Sequence, residues 1–472
     1  MLYVNICVCV IIFAIWSYIF IKTYQLNGYF VKVFLNNVFN FHLAFGDKNK
    51  LVFTKRMIRF ILIYLILTIA IFFLINYFVK NIYLKILDCA VVFLLAPFVI
   101  VLTHYLLLPF ENLIKKSYVK KARKKLAKLK IIKIGITGSY GKTSTKNILA
   151  TMLEKEYKVC TTPKSYNTEM GVTKTILDDL DDHDVFIAEM GARHKGDIEA
   201  LTRLVKPSYG ILTTIGSQHI ETFGTLKNIE ETKNELPKNL AKDGTMVFNG
   251  DSPSTYKLYK NFTGNKYLAN YKNAFARAEN VEMDENGSTF DLLLDGKATK
   301  VTTRLLGKCN IDNIVTASAL AYVLGISRED IASAIKSLTP SPHRLEVLKN
   351  NYSTILDDSY NSNTIGAKEA LEVLSRFKGV KIVVTPGLVE MGAQQSQANF
   401  KLGTQIADVA DYIIIMNEIN KNDLLSGAIS HNFDRNKIFF ASTRKKQKEI
   451  LELLTIKGCV ILFENDLPDN YQ

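Results

Sequence analysis

Ile131-Ile-Lys-Ile-Gly-Ile-Thr-Gly-Ser-Tyr-Gly-Lys-Thr-Ser-Thr145 is the stretch whose pattern decides the architecture. The apolar run Ile131–Thr137 reads as a buried strand and Lys142–Tyr157 as a helix, with a glycine-rich turn between them. Gly138 and Gly141 let the backbone N–H groups of Ser139, Tyr140 and their neighbours close around phosphate oxygens. Lys142 adds a point charge, Thr143 can offer a hydroxyl to Mg²⁺, and Ser144 continues the turn into the helix. The spacing departs from strict G-x-x-x-x-G-K-[ST], because Ile136 stands at the first glycine. A glycine-rich strand-to-helix turn with an exposed lysine is the plainer alternative. The strand before, the helix after and the Lys-Thr pair favour phosphate.

Beyond the loop, short apolar runs alternate with helical stretches, the pattern of parallel α/β architecture. Asp184–Glu189 and Tyr209–Thr214 read as strands and Asn228–Leu240 as a helix. Phe248–Val301 is weakly periodic and rich in turn residues, which suggests an antiparallel insertion. Thr339-Pro-Ser-Pro342 marks a boundary, beyond which Thr354–Leu356, Lys381–Thr385 and Tyr412–Met416 read as strands of a smaller unit. The expected division is a P-loop-type central ATPase domain at 131–339 and a Rossmann-like C-terminal domain at 340–472.

The N-terminal side differs in kind. Met1–Ile21, Phe60–Val79 and Cys89–Phe110 contain no Asp, Glu, Lys or Arg. Each is long enough to cross ~30 Å of hydrocarbon as a helix. Three spans are therefore expected within residues 1–110, Pro97 kinking the third, and a mean hydropathy of +0.08 fits that concentration. Between Glu111 and Lys133 lie ten Lys or Arg against one acid, so residues 111–130 read as a basic juxtamembrane linker. The loop between the first two spans is also basic, which puts the N-terminus outside and everything after Phe110 in the cytoplasm. The net charge of +14 thus points to anionic membrane lipid. A nucleic-acid patch or a merely solvated face are the alternatives, and nucleic acid is disfavoured because Tyr118 alone interleaves the basic residues. Six cysteines without C-x-x-C spacing fit reduced thiols rather than a disulfide or metal framework. At 472 residues, about three domains are expected.

The form Thr137-Gly-Ser-Tyr-Gly-Lys-Thr-Ser-Thr145 resembles the nucleotide loop of the Mur ligase family. Further blocks follow in the family's order: Phe186-Ile-Ala-Glu-Met-Gly-Ala192, Gly216-Ser-Gln-His-Ile-Glu221, Glu231-Thr-Lys-Asn-Glu235, Gly307-Lys-Cys-Asn-Ile-Asp-Asn313, His343-Arg-Leu-Glu346 and Leu356-Asp-Asp-Ser-Tyr-Asn-Ser-Asn363. The last is similar to members that add D-alanyl-D-alanine. The sequence also departs from the family. The usual sugar-nucleotide domain is replaced by membrane spans, Cys309 stands where His is common, and Thr364 follows Asn363 where Pro is usual. Thr385-Pro-Gly-Leu-Val-Glu-Met-Gly392 matches its block only in part.

The resemblance implies an ATP-dependent carboxylate–amine ligase of peptidoglycan precursor synthesis, releasing ADP. ATP phosphorylates a carboxylate, and an amino acid or a dipeptide such as D-Ala-D-Ala attacks the acyl phosphate; alignment and charge neutralisation are the protein's share. The resemblance assigns two Mg²⁺ ions to Thr143, Glu189, His219 and a carbamylated Lys233. It places adenine against Asn313, and phosphates and ribose against Arg344 and Asp358. Alone, Glu189 reads as an exposed acid, His219 as a satisfied histidine, Lys233 as solvated and Asn313 as a helix cap. Asn167 could meet the carboxylate substrate, and Tyr360, Asn361 and Asn363 the incoming amine; plain loops are the alternatives. Spans in place of a sugar-nucleotide domain suggest a lipid-linked or other cell-wall precursor at a multi-pass site in the plasma membrane. A folylpolyglutamate synthetase-like ligase and a noncatalytic nucleotide-binding scaffold are the competing readings.

Overall fold

The computed structural model describes residues 2–45, 50–78, 84–216, 220–360 and 362–467. The chain divides into two compact units, one reaching to Tyr118 and the other Val119–Leu467.

In the first unit, helices Leu2–Leu26, Val31–Phe39, Lys55–Phe78 and the start of Leu84–Lys128 pack around Tyr24, Phe34, Met57, Phe60, Tyr64 and Ile100. Apolar side chains also face outward: Leu62, Ile66, Phe73 and Leu94 are all more than half exposed. Helices apolar on every side suit lipid rather than water. Among the described residues, two stretches are long and apolar enough to cross a membrane, Lys55–Ile75 and Val91–Lys128. The first of the three expected spans contributes a shorter apolar stretch, Ile11–Leu26.

The basic linker is not a loop. The 45-residue helix Leu84–Lys128 runs through it, with Pro97 and Pro109 inside. Val119, Ala122 and Leu126, spaced at helical intervals, enter the core of the second unit. Lys125 donates to the Leu177 carbonyl at 3.1 Å and to Asp181 at 2.8 Å, so this member of the basic run is met by protein rather than by lipid.

The second unit holds two sheets. The first comprises β1 (Ile132–Thr137), β2 (Val159–Thr161), β3 (Val185–Glu189), β4 (Tyr209–Leu212), β5 (Thr245–Asn249), β6 (Asn265–Ala269), β7 (Ala276–Asp284), β8 (Gly287–Leu294) and β9 (Lys297–Thr303). Their order is β2-β3-β1-β4-β5-β6-β7-β8-β9, parallel as far as β7 and antiparallel from β7 to β9. The expected insertion at Phe248–Val301 is therefore an extension of the same sheet, and only its second half is antiparallel. The strand Val185–Glu189 is buried throughout, because helices cover both faces and leave it no polar side. Ile134, Leu149, Val247 and Ile314 belong to one core, Phe186, Leu201, Leu212 and Phe248 to the other.

The second sheet comprises β10 (Glu346–Lys349), β11 (Ser353–Asp358), β12 (Lys381–Thr385), β13 (Tyr412–Met416), β14 (Ile438–Ala441) and β15 (Cys459–Glu464). Their order is β10-β11-β15-β12-β13-β14, parallel except for the β10–β11 hairpin. The Pro-rich stretch near 340 lies in the connection between helix Arg328–Ser337 and β10.

The helix expected over Asn228–Leu240 is broken into Leu226–Lys233 and Glu235–Lys238. Pro237 has no N–H to give the carbonyl four residues earlier, which belongs to Lys233. The break makes Lys233 a helix C-terminus.

Candidate active site

β1 lies between β3 and β4, and the chain leaves β1 toward one side of the sheet and β4 toward the other. The crevice at the carboxyl ends of such strands is where open α/β sheets take ligands. The loop after β1 sits there. Gly138 and Gly141 hold φ of +151° and +78°, and a β-carbon on them would strike Thr213 and Asn313 respectively. Glycine is needed at both positions. The loop is pinned from β4: the Ser139 N–H donates to Thr214 O at 2.8 Å, and the Thr213 hydroxyl donates to Tyr140 O at 2.6 Å. Lys142 donates to the carbonyls of Gly138 and Ser139, both at 2.9 Å. Burial lowers its ammonium to about 8, opposed by Glu189 and assisted by Arg344.

Glu189 closes β3 and is 1% exposed, so its reading as a surface acid fails. One carboxylate oxygen accepts the Thr143 hydroxyl at 2.9 Å and the other the Asn167 amide at 3.1 Å. Lys146 lies 3.4 Å from the Thr143-bonded oxygen and is equally buried. Sequence reasoning missed this lysine. The available signal was its position one helical turn after Lys142, which puts both on one helix face.

Lys233 is only 4% exposed, not solvated. Burial lowers its ammonium to about 7, with Lys142 pushing the same way and Asp197 and Glu235 opposing. Those two acids are engaged elsewhere. Glu235 accepts the N–H groups of Gly196 and Glu199, and Asp197 those of Arg193 and His194. His219 and Asn361 lie outside the described residues.

Across from the loop is an open cleft, lined by Tyr140, Gly141, Ser144 and Asn313 on one side and Arg344, Asp358, Tyr360 and Asn363 on the other. Asn313 is not a helix cap: it lies inside helix Lys308–Val323 and its carbonyl oxygen accepts the Thr145 hydroxyl at 3.1 Å. The Arg344 guanidinium covers the Tyr360 ring at 4.5 Å, and the Tyr360 hydroxyl meets Ser165 at 2.6 Å. Asp358 accepts the Leu345 N–H at 3.0 Å, and burial raises it to about 6. Asn363 caps helix Thr364–Ser375, accepting the N–H groups of Ile365 and Gly366, so its oxygen is committed to structure. Glu369, also missed, accepts the Cys309 N–H and is pushed up to about 7 by burial.

No group of three His, Cys, Asp or Glu suited to a metal occurs among the described residues. The donors present, the Thr143 hydroxyl and the Glu189 carboxylate, are hard oxygens beside a phosphate-type loop. That set fits Mg²⁺, which takes few protein ligands and completes its shell with water and substrate phosphates.

Comparison with known proteins gives the chain's relatives. Residues 136–321 match the family model of the Mur ligase middle domain. The chain is 28% identical over 335 residues to the UDP-N-acetylmuramoyl-tripeptide–D-alanyl-D-alanine ligase of Bacillus subtilis (strain 168), covering 70% of this chain and 72% of that enzyme. MurF ligase from Thermotoga maritima, solved in complex with ADP, superposes with a TM-score of 0.67 at 27% identity, over 75% of this chain and 80% of that one. MurF from Acinetobacter baumannii shares the fold with a TM-score of 0.68 at 22% identity, over 75% of this chain and 77% of that one. Residues 136–321 of the chain are thus a Mur ligase middle domain, and the chain as a whole is similar to D-alanyl-D-alanine-adding ligases over about 70% of its length.

Proposed function

We propose that this protein is an ATP-dependent amide ligase of peptidoglycan precursor synthesis, joining a precursor carboxylate to D-Ala-D-Ala or a similar amine. The observation that carries the reading is the convergence of Lys142, Thr143 and Glu189 at the switch point, with the amine of Lys233 buried beside them. Lys142 and the loop N–H groups would hold phosphates, while Asn313 and Asp358 would flank base and ribose. Asn167, tied to Glu189, would face the carboxylate, and Tyr360 the amine. Bound at Thr143, Glu189, His219 and a carbamylated Lys233, Mg²⁺ would neutralise phosphate charge. Carbamylation needs a neutral amine, and a Lys233 pushed down to about 7 supplies one near neutral pH. Arg344, held over Tyr360, would reach the phosphates from the C-terminal domain and help exclude water.

The domain division that goes with this function is 1–110 membrane, 111–130 basic connection, 131–339 ATP-binding and 340–472 C-terminal, with three spans and both catalytic domains cytoplasmic. Apolar helices ahead of the ATP-binding domain favour a membrane-borne acceptor. The full chain in detergent, given ATP, D-Ala-D-Ala and either lipid-linked or soluble nucleotide-linked precursor, should release phosphate only when precursor and amine are both present. Nucleotide binding with no phosphate release under any of these conditions would replace the ligase with a nucleotide-binding scaffold. Equal turnover of both precursors would remove the lipid-linked preference.

A further inference from the structure

Lys146 is the buried charge that this reading does not use. Its Nζ donates to Thr162 O and Lys164 O, both at 2.6 Å, and lies 3.4 Å from the Glu189 oxygen that accepts the Thr143 hydroxyl. Three acceptors around one nitrogen, with no donor among them, are what an ammonium requires. The same contacts hold the segment after β2. Thr162 accepts the Glu189 N–H through its side chain at 3.1 Å, and Asn167 accepts the Gly191 N–H through its carbonyl at 2.8 Å. Both Lys146 and Glu189 are 1% exposed, so each is the other's principal counter-charge in a region where solvent screens little.

We infer that Lys146 is a positioning residue that acts as the resident counter-ion of Glu189. It keeps the carboxylate aimed and compensated, so that a divalent cation is taken up with the nucleotide rather than alone. The inference rests on the proposed role of Thr143 and Glu189 in holding Mg²⁺. A fixed positive charge at 3.4 Å from one carboxylate oxygen opposes a second cation there. Nucleotide phosphates add the negative charge and the further oxygens that offset this repulsion.

Mn²⁺ as a Mg²⁺ surrogate, followed by paramagnetic resonance on the full-length protein, tests the idea without turnover. The unmodified protein should bind Mn²⁺ at least tenfold more tightly with a nonhydrolysable ATP analogue than without it. Lys146→Met should bind Mn²⁺ alone at least tenfold more tightly than the unmodified protein, and adding Glu189→Gln should abolish that gain. Lys146→Arg, which keeps the charge, should leave nucleotide-free binding low. If Lys146→Met fails to fold, Lys146→Gln offers an uncharged side chain that can still donate to the carbonyls. Tight nucleotide-free Mn²⁺ binding at Glu189 in the unmodified protein would overturn the inference, as would a folded neutral variant with unchanged affinity. Absence of Mn²⁺ binding even with the nucleotide analogue would defeat the metal-site reading instead.

Discussion

The two walls of the cleft bury opposite charges. The loop side carries Lys142, Lys146 and Lys233, with Glu189 acting on the first two and Asp197 and Glu235 on the third, whereas the C-terminal side carries Asp358, Glu369 and Glu464 together with the guanidinium of Arg344. Burial works against both sets, drawing Lys142 to about 8 and Lys233 to about 7 while lifting Asp358 to about 6 and Glu369 to about 7. The difference lies in what each wall is built to meet. Lysines gathered beside a glycine-rich loop are suited to an incoming polyanion. Carboxyl groups lifted toward neutral pH hold a proton part of the time and can then donate as well as accept hydrogen bonds, which suits neutral base and sugar groups.

The largest effect should come from breaking the basic wall. Lys142→Met removes the charge nearest the loop carbonyls, and ligation measured as amine-dependent phosphate release should fall by about 10³-fold. An unchanged rate would show that the loop holds no phosphate. Lys233→Met should cost about 10²-fold in the same assay, and activity of the unmodified enzyme should depend on dissolved CO₂ and rise as pH passes through about 7. Stability carries the same sign in CO₂-free buffer. The folded pKa lies below the unfolded value of 10.5, so the unfolded chain binds more protons between about 7 and that value, and stability climbs with pH across the window. Thermal denaturation should therefore show Lys233→Met gaining most below pH 7 and nothing near pH 10.5. A gain independent of pH would mean that no buried charge is involved.

The two walls also differ in how far they can be read from sequence. Gly138, Gly141, Lys142 and Thr143 are legible because the turn that brings them together is local, and a strand and a helix bracket it. Glu189 is legible as the end of an apolar strand, but its burial is not, since three partners reach it from Thr143, Lys146 and Asn167. Lys146 looks like any helical lysine until β2 and its following segment supply two carbonyls. Lys233 shows the opposite case: Pro237, four residues on, already implies the helix break that a periodicity reading over Asn228–Leu240 smooths away. The acidic wall is less legible still, because Glu369 comes within reach of Cys309 only when helices sixty residues apart pack together. The sheet extension is misread for a related reason. Strands β5 and β6 need their neighbours to show that they are parallel, whereas the turns of β7–β9 announce a meander.

Between the walls stands Arg344, and its loss should be felt less than that of either lysine. Arg344→Ala uncovers the Tyr360 ring and removes the one cation that lines the acidic side among the described residues. KM for ATP should rise about tenfold with a smaller change in kcat, the pattern of lost binding rather than lost chemistry. Tyr360→Phe, which keeps the stacked ring but drops the hydroxyl contact to Ser165, separates the two contributions. If its KM matched that of Arg344→Ala, the hydroxyl rather than the cation would be the bridge between the walls.

The smallest effect is one of stability, and it has the opposite pH sign to that of Lys233. Glu369 is raised from 4.5 to about 7, so between those values the unfolded chain gives up its proton first and stability falls as pH rises. Glu369→Gln cannot ionise yet keeps an oxygen to accept the Cys309 N–H. It should match the unmodified protein below pH 4.5 and become progressively more stable than it as pH rises through about 7, read from denaturant midpoints. If the advantage were already complete at pH 4.5, the carboxyl would not be holding a proton in the fold, and the acidic wall would be an ordinary anionic surface.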